Sequence, residues 1–241
     1  MINKLVKYED DYLQESILDL KLFFPISDLL LEPLHKINLK PNHVTLLSAI
    51  SSLFGIFLYY KNKITFAIFF YLLGYLFDCI DGRMARKYNQ GSILGMILDT
   101  VTDNLTALPL FILFFYKTFV SVKEHGFIHC RFFYLILLFV ITYFFTAVFG
   151  INEAIDSYLK YKDDNFPKFK KKEIEKENWH KTLFGKLFLF IYKQSYNSYR
   201  NIYKNPINEK NFDKIKKHLY RLKEIGPGNY NIFIAILMII F

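Results

Sequence analysis

Between residues 78 and 103 the chain reads DCIDGRMARKYNQGSILGMILDTVTD, and four carboxylates, Asp78, Asp81, Asp99 and Asp103, fall at regular intervals inside its most apolar part. Asp78, Asp81 and Gly82 stand at i, i+3 and i+4, while Gly95, Asp99 and Asp103 advance by four, so each group occupies one face of a helix. Two such faces turned toward each other would make an all-oxygen cage suited to hard divalent cations such as Mg²⁺ or Mn²⁺. An aspartate at the centre of a membrane helix costs roughly 2.5–3.5 kcal/mol on insertion scales. Four unpaired ones would therefore approach the net stability of a whole domain, about 10 kcal/mol. Cations bound in the cage would neutralise the cluster.

The elements that must position these carboxylates are long and apolar. Of the 241 residues 53% are hydrophobic and 22% charged, a mixture that reads as membrane spans joined by basic segments. Apolar stretches lie at about 43–60, 64–80, 93–115 and 132–150, lengths that bracket the roughly 20 residues needed to cross a bilayer. A fifth, Asn231–Phe241, is too short to span alone at about 1.5 Å per residue, so it reads as a half-span or as the start of a longer one. Lys and Arg number 5 in residues 1–42, 3 in 81–92 and 8 in 151–182, against 2 in 61–63 and 3 in 117–131. The positive-inside rule then puts the N-terminus, the Asp-rich turn and the basic stretch on the cytoplasmic side. The predicted fold is an all-α, polytopic membrane helical bundle.

Three regions follow from this pattern. Residues 1–42 form a cytoplasmic N-terminal segment in which Leu29, Leu30, Leu34 and Ile37 recur at helical spacing around Pro33. That segment reads as an amphipathic helix on the membrane interface, or as a helix packed on the protein itself. Residues 43–150 form the transmembrane core, and residues 151–241 a basic cytoplasmic segment with a partial C-terminal span or spans. Between the regions, Asn42 is placed to cap the first span, Asn89-Gln90-Gly91 reads as a turn, Ser92 caps the next helix and Pro109 kinks it. Thr102, Asn104 and Thr106 add polarity beside Asp103.

Other classes fit less well. The net charge of +9 suggests attraction to anionic headgroups rather than nucleic acid, because the basic residues flank hydrophobic spans and no nucleic-acid-binding motif is present. Cys79 and Cys130 read as buried, reduced thiols. Cys79 falls between two ligand positions, but a thiolate is a poor partner for Mg²⁺. The six histidines show no ligand spacing. Residues 1–22 are charged and lack a signal-peptide core, so the first span would itself be the targeting signal.

The segment resembles the signature of the CDP-alcohol phosphotransferase family, D-x2-D-G-x2-A-R-x8-G-x3-D-x3-D. Asp78, Asp81, Gly82, Ala85, Arg86, Gly95, Asp99 and Asp103 fill every fixed position with the correct gaps. The run PNHVT at residues 41–45 is similar to the family's P-N-x-(hydrophobic)-T, and the likeness extends over roughly residues 38–150. The resemblance implies a six-helix homodimer that moves a phosphoalcohol group from a CDP-linked donor to an alcohol, with release of CMP. It implies two Mg²⁺ or Mn²⁺ ions, one on Asp78, Asp81 and Asp99 and the other on Asp78, Asp99 and Asp103, with Asp103 also taking the proton. It further implies that Asn42, Thr45, Gly82, Arg86 and Ser92 hold the nucleotide and pyrophosphate, and that Gly82, Ala85 and Gly95 are small to allow close approach.

Blander roles stand beside these. Arg86 can snorkel to headgroups, Gly95 can be a helix-packing position, and Asn42 and Ser92 can be caps alone. The donor implied is CDP-diacylglycerol, with inositol as acceptor, on the likeness of NQGSILGMILDTVTD to phosphatidylinositol synthases. DGRMARKYN is similar to the enzymes that join a CDP-amino-alcohol to diacylglycerol. A prenyltransferase would need a second Asp-rich motif several helices later, where the chain has only Asp163-Asp164 in a solvated run. A degenerate, non-enzymatic family member would show losses in the signature, and it shows none.

Overall fold

The computed structural model describes residues 16–125, 136, 139, 140, 142, 181–190 and 226–240. The described residues are helical with no strand. A π-turn at Asp19–Phe23 runs into α1 (Phe24–Lys36); α2 (Pro41–Tyr60), α3 (Ile64–Lys87) and α4 (Ile93–His125) follow, and α5 (Pro227–Ile240) closes the order. Three of these helices, α2, α3 and the Ile97–Val120 part of α4, are long and apolar enough to cross a membrane. At 14 residues, α5 reaches only about 21 Å. It begins at Pro227, four residues before the predicted apolar stretch. The apolar stretch at 132–150 and the basic region 151–180 lie outside the described residues, apart from a few positions in the former.

Three helices stop in the same way. Asn38, Asn62 and Asn89 all have φ between 53° and 60°, the left-handed region. After each, the next N–H closes on the carbonyl five residues earlier: Leu39 on Leu34 at 3.2 Å, Lys63 on Leu58 at 2.9 Å and Gln90 on Ala85 at 2.9 Å. Asparagine tolerates this conformation better than other residues with a Cβ, and the closing bond satisfies carbonyls the helix end would leave open. The predicted turn at 89–91 is thus a helix stop, and α3 continues unbroken through Asp78, Asp81 and Gly82 to Lys87.

Close packing of α2 on α3 sets the frame. A Cβ on Gly55 would stand 2.7 Å from the Tyr71 nitrogen, and one on Gly74 would meet the Ser52 hydroxyl and lie 2.9 Å from the Ser48 carbonyl. Small residues let the two backbones approach, as membrane helix pairs require. Away from the carboxylates, Ile56, Tyr59, Ala67, Tyr71, Leu113, Phe114, Ile234 and Met238 form a core shared by α2, α3, α4 and α5. Toward the carboxylates, Leu31, Val44, Ile80 and Met84 seat α1 on α2 and α3.

The N-terminal helix packs on the protein and also carries an exposed apolar face. It buries Ser27 and Leu31 but leaves Leu29 76% and Ile37 66% exposed, an apolar face of the kind that lies in an interface. Arg83 pins it, donating to Asp28 Oδ1 at 2.6 Å and Oδ2 at 2.7 Å through Nη2, with its guanidinium 4.5 Å from the Phe24 ring centroid. Pro109 lies inside α4 without ending it.

Candidate metal centre

On α3 and α4 three of the four signature carboxylates, Asp78, Asp99 and Asp103, converge, and Asp81 lies one helical turn along α3 from Asp78. Asp78, Asp99 and Asp103 each offer a carboxylate oxygen, and the three oxygens lie within 4.8 Å of one another. Among the described helices α4 packs chiefly on α2. Like charges this close repel by on the order of 3 kcal/mol per pair at an effective dielectric of about 20. Asp78 and Asp99 are half-buried, whereas Asp103 is open.

Asp81 stands next to this trio and is 7% exposed, and its Oδ2 is buried with no hydrogen-bond partner. An orphaned carboxylate oxygen in such a place is costly unless something binds it. Hard oxygen donors from two helices, crowded like charges and one unsatisfied oxygen fit a divalent cation site. Hydroxyl and amide groups along α4 bond to the helix backbone. Thr102 donates to the Asp99 carbonyl at 2.9 Å, Asn104 to the Thr100 carbonyl at 2.6 Å and Thr106 to the Asp103 carbonyl at 3.1 Å. These bonds return to α4's own backbone.

The other predicted residues gather in two groups around the first turn of α2. In one, the Thr45 hydroxyl is 3.2 Å from the Pro41 carbonyl and also within reach of Asp81. The Arg86 guanidinium crosses over Gly82, where a Cβ would stand 3.3 Å from Nη1. Ala85 is half-buried on the same helix. In the other group, a Cβ on Gly95 would stand 2.7 Å from Asn42 Oδ1 and 3.1 Å from Ser92 Oγ, so three substrate-binding candidates are in contact.

Ser92 caps α4 as expected, accepting from the Gly95 N–H at 2.9 Å. Asn42 does not cap α2. The helix starts at Pro41 with Lys40 as its extended N-cap, and Lys40 N–H donates to His43 Nδ1 at 3.3 Å. Proline at the first helical position needs no N–H partner, which moves Asn42 inside the turn and frees its amide to face α4.

Two features escape a reading by spacing. Gln90 Oε1 is buried without a partner in the α3–α4 turn, inside the signature's variable gap. Arg83, at another variable position, forms the partly buried ion pair to α1. Only the presence of an arginine on a predicted helix flanking an Asp-bearing one hints at that pair.

A family description, CDP-alcohol phosphatidyltransferase, matches residues 38–170. The chain belongs to the CDP-alcohol phosphatidyltransferase family, a membrane transferase family, and this sets aside the prenyltransferase alternative. It is similar to the CDP-diacylglycerol–inositol 3-phosphatidyltransferase of Saccharomyces cerevisiae, 40% identical over 70 residues, which cover 29% of this chain and 31% of the yeast protein. The Candida albicans protein of the same name is 33% identical over 72 residues, 30% of this chain and 31% of that protein. An uncharacterized protein of Aquifex aeolicus is 38% identical over 90 residues, 35% of this chain and 46% of that protein. The matched segments span less than half the length of these relatives. No solved structure matches the chain.

Proposed function

We propose that this protein transfers a phosphatidyl group from CDP-diacylglycerol to a polyol such as inositol, releasing CMP, with two Mg²⁺ or Mn²⁺ ions held by Asp78, Asp81, Asp99 and Asp103. The observation that carries the reading is the convergence of Asp78, Asp99 and Asp103 from two helices within 4.8 Å. The choice of donor and acceptor is supported by the names of the yeast relatives. The active site faces the cytoplasmic border of the membrane, as the distribution of Lys and Arg supports, and the protein works as a homodimer.

When bound, the ions would neutralise charge on the transferring and leaving phosphate oxygens. The side chains supply the rest. Arg86 offers a planar fork of donors to a phosphate, over a glycine that leaves room for it. Asn42, Thr45 and Ser92 line the approach of the nucleotide, and Gly95 and Ala85 keep that approach open. Asp103, the open member of the trio, accepts the proton of the incoming hydroxyl. The acceptor oxygen forms its bond to the diacylglycerol-bearing phosphorus, and the bond to the CMP oxygen breaks with the electron pair leaving on CMP.

The test is CMP release by purified protein in detergent, with CDP-diacylglycerol or CDP-ethanolamine, Mg²⁺ or Mn²⁺, and a panel of acceptors including inositol and diacylglycerol. Release with CDP-diacylglycerol and inositol, abolished by chelator, is expected. Release only with CDP-ethanolamine and diacylglycerol would overturn the substrate assignment. No release with any pair would favour a non-enzymatic member of the family.

A further inference from the structure

Asp19 is fully buried, and its carboxylate is held by its neighbour Ser16 and from two distant parts of the chain. Its Oδ2 accepts from Ser16 Oγ at 2.8 Å, from the Ser16 N–H at 3.3 Å and from the Gly228 N–H at 3.0 Å. Its Oδ1 accepts from the Tyr75 hydroxyl at 2.5 Å. Every one of these donors is neutral. A well-packed apolar residue would close the same space without desolvating a carboxylate, so the arrangement's distinctive product is geometric: it fixes the start of α5 to α3.

That tie lies on the functional face of α3. Tyr71, Tyr75 and Asp78 stand at i, i+4 and i+7 and share one side of the helix. Tyr75 reaches Asp19, and Tyr71, one turn further from the carboxylates, donates to Asn231 Oδ1 of α5 at 2.8 Å. The N-terminal part of α5 is therefore secured at two successive rungs of the α3 face that carries Asp78. Gly228 belongs to the same device, because a Cβ there would run into Asp19 Oδ1 and Ser16 Oγ.

We propose that Asp19 is a positioning residue: by clamping the first turn of α5 to Tyr75 it sets the wall beside Asp78 and Asp103 against which the acceptor alcohol is aligned. The inference rests on the transferase reading above. Its test compares Asp19→Ala, Gly228→Ala and the milder Tyr75→Phe with the parent protein, using CDP-diacylglycerol and inositol. Each variant is expected to raise the KM for inositol, by about tenfold for Asp19→Ala, and to leave the KM for CDP-diacylglycerol within about twofold. Asp19→Asn, which keeps the shape and one acceptor oxygen, should recover most of the loss. The Asp19→Ala, Gly228→Ala double variant should be little worse than either single one, because both break one knot. A lower thermal midpoint with both KM values unchanged would overturn the proposal, as would equal changes in both.

A second readout needs no activity. Spin labels at the exposed positions Phe66 and Ile236 report the α3–α5 distance, which should broaden in Asp19→Ala. An unchanged distribution would overturn the clamp. If the parent protein released no CMP with any acceptor, the transferase reading would fail and the assignment of the acceptor wall with it, while the distance measurement would still decide whether Asp19 holds α5.

Discussion

Asp19 and Asp81 are both buried, 0% and 7% exposed, and the chain treats them in opposite ways. Asp19 has donors on both oxygens from its own neighbour, from α3 and from α5. Asp81 keeps an oxygen with no partner and sits beside three more carboxylates. A buried acid whose lone pairs are filled by the protein holds the chain together. One left open, among like charges, is arranged to hold something the chain does not supply. The contrast separates scaffold from site without reference to any relative.

The sharpest way to break the contrast is to remove the acid shared by both proposed ions. Asp78→Asn should lower CMP release by about three orders of magnitude while the protein still elutes as a folded species in detergent. Retained metal-dependent turnover would contradict the shared-ligand arrangement. Asp103→Asn should cost about a hundredfold in turnover, the scale of general base catalysis, with donor affinity unchanged in a binding assay. Unaltered turnover would remove Asp103 as the proton acceptor.

Stability should move in opposite directions at the two compared sites. In chelator, Asp81→Asn relieves a buried charge that has one unsatisfied oxygen and should raise the unfolding free energy by about 1 kcal/mol, whereas Asp19→Ala orphans several donors and should lower it by about 2–3 kcal/mol. Thermal melts in the same detergent check both signs, and a shared sign would erase the distinction. The smallest effect is expected at Ser92→Ala, which removes only the α4 cap and should cost about 0.5–1 kcal/mol. A much larger loss of donor affinity there would show that the hydroxyl also touches substrate.

The site was far more legible in the sequence than the scaffold around it. Periods of three and four residues place Asp78, Asp81, Asp99 and Asp103 on helix faces, and the structure brings Asp78, Asp99 and Asp103 together, with Asp81 one turn along α3 from Asp78. The long apolar runs likewise predict α2, α3 and α4. What stayed hidden depends on partners remote in the chain. Asp19 meets Gly228 across 209 residues and Arg83 meets Asp28 across 55, and no local period announces such a pairing. Asn42, expected as a cap from the sequence, lies inside the first turn because Pro41 suits the first helical position and leaves Lys40 as the N-cap. The three asparagine stops show the same lesson in reverse, since each is a local preference that a sequence can display.

The central claim is that the carboxylates of α3 and α4 hold divalent ions, and Mn²⁺ binding tests it most directly. Equilibrium titration of the purified protein with Mn²⁺, followed by electron paramagnetic resonance in the presence of CDP-diacylglycerol, should give saturable binding of about two ions per chain, with spin coupling between them, and Asp78→Asn should lose both. Absence of saturable binding to the unaltered protein, or full binding retained by Asp78→Asn, would contradict the account.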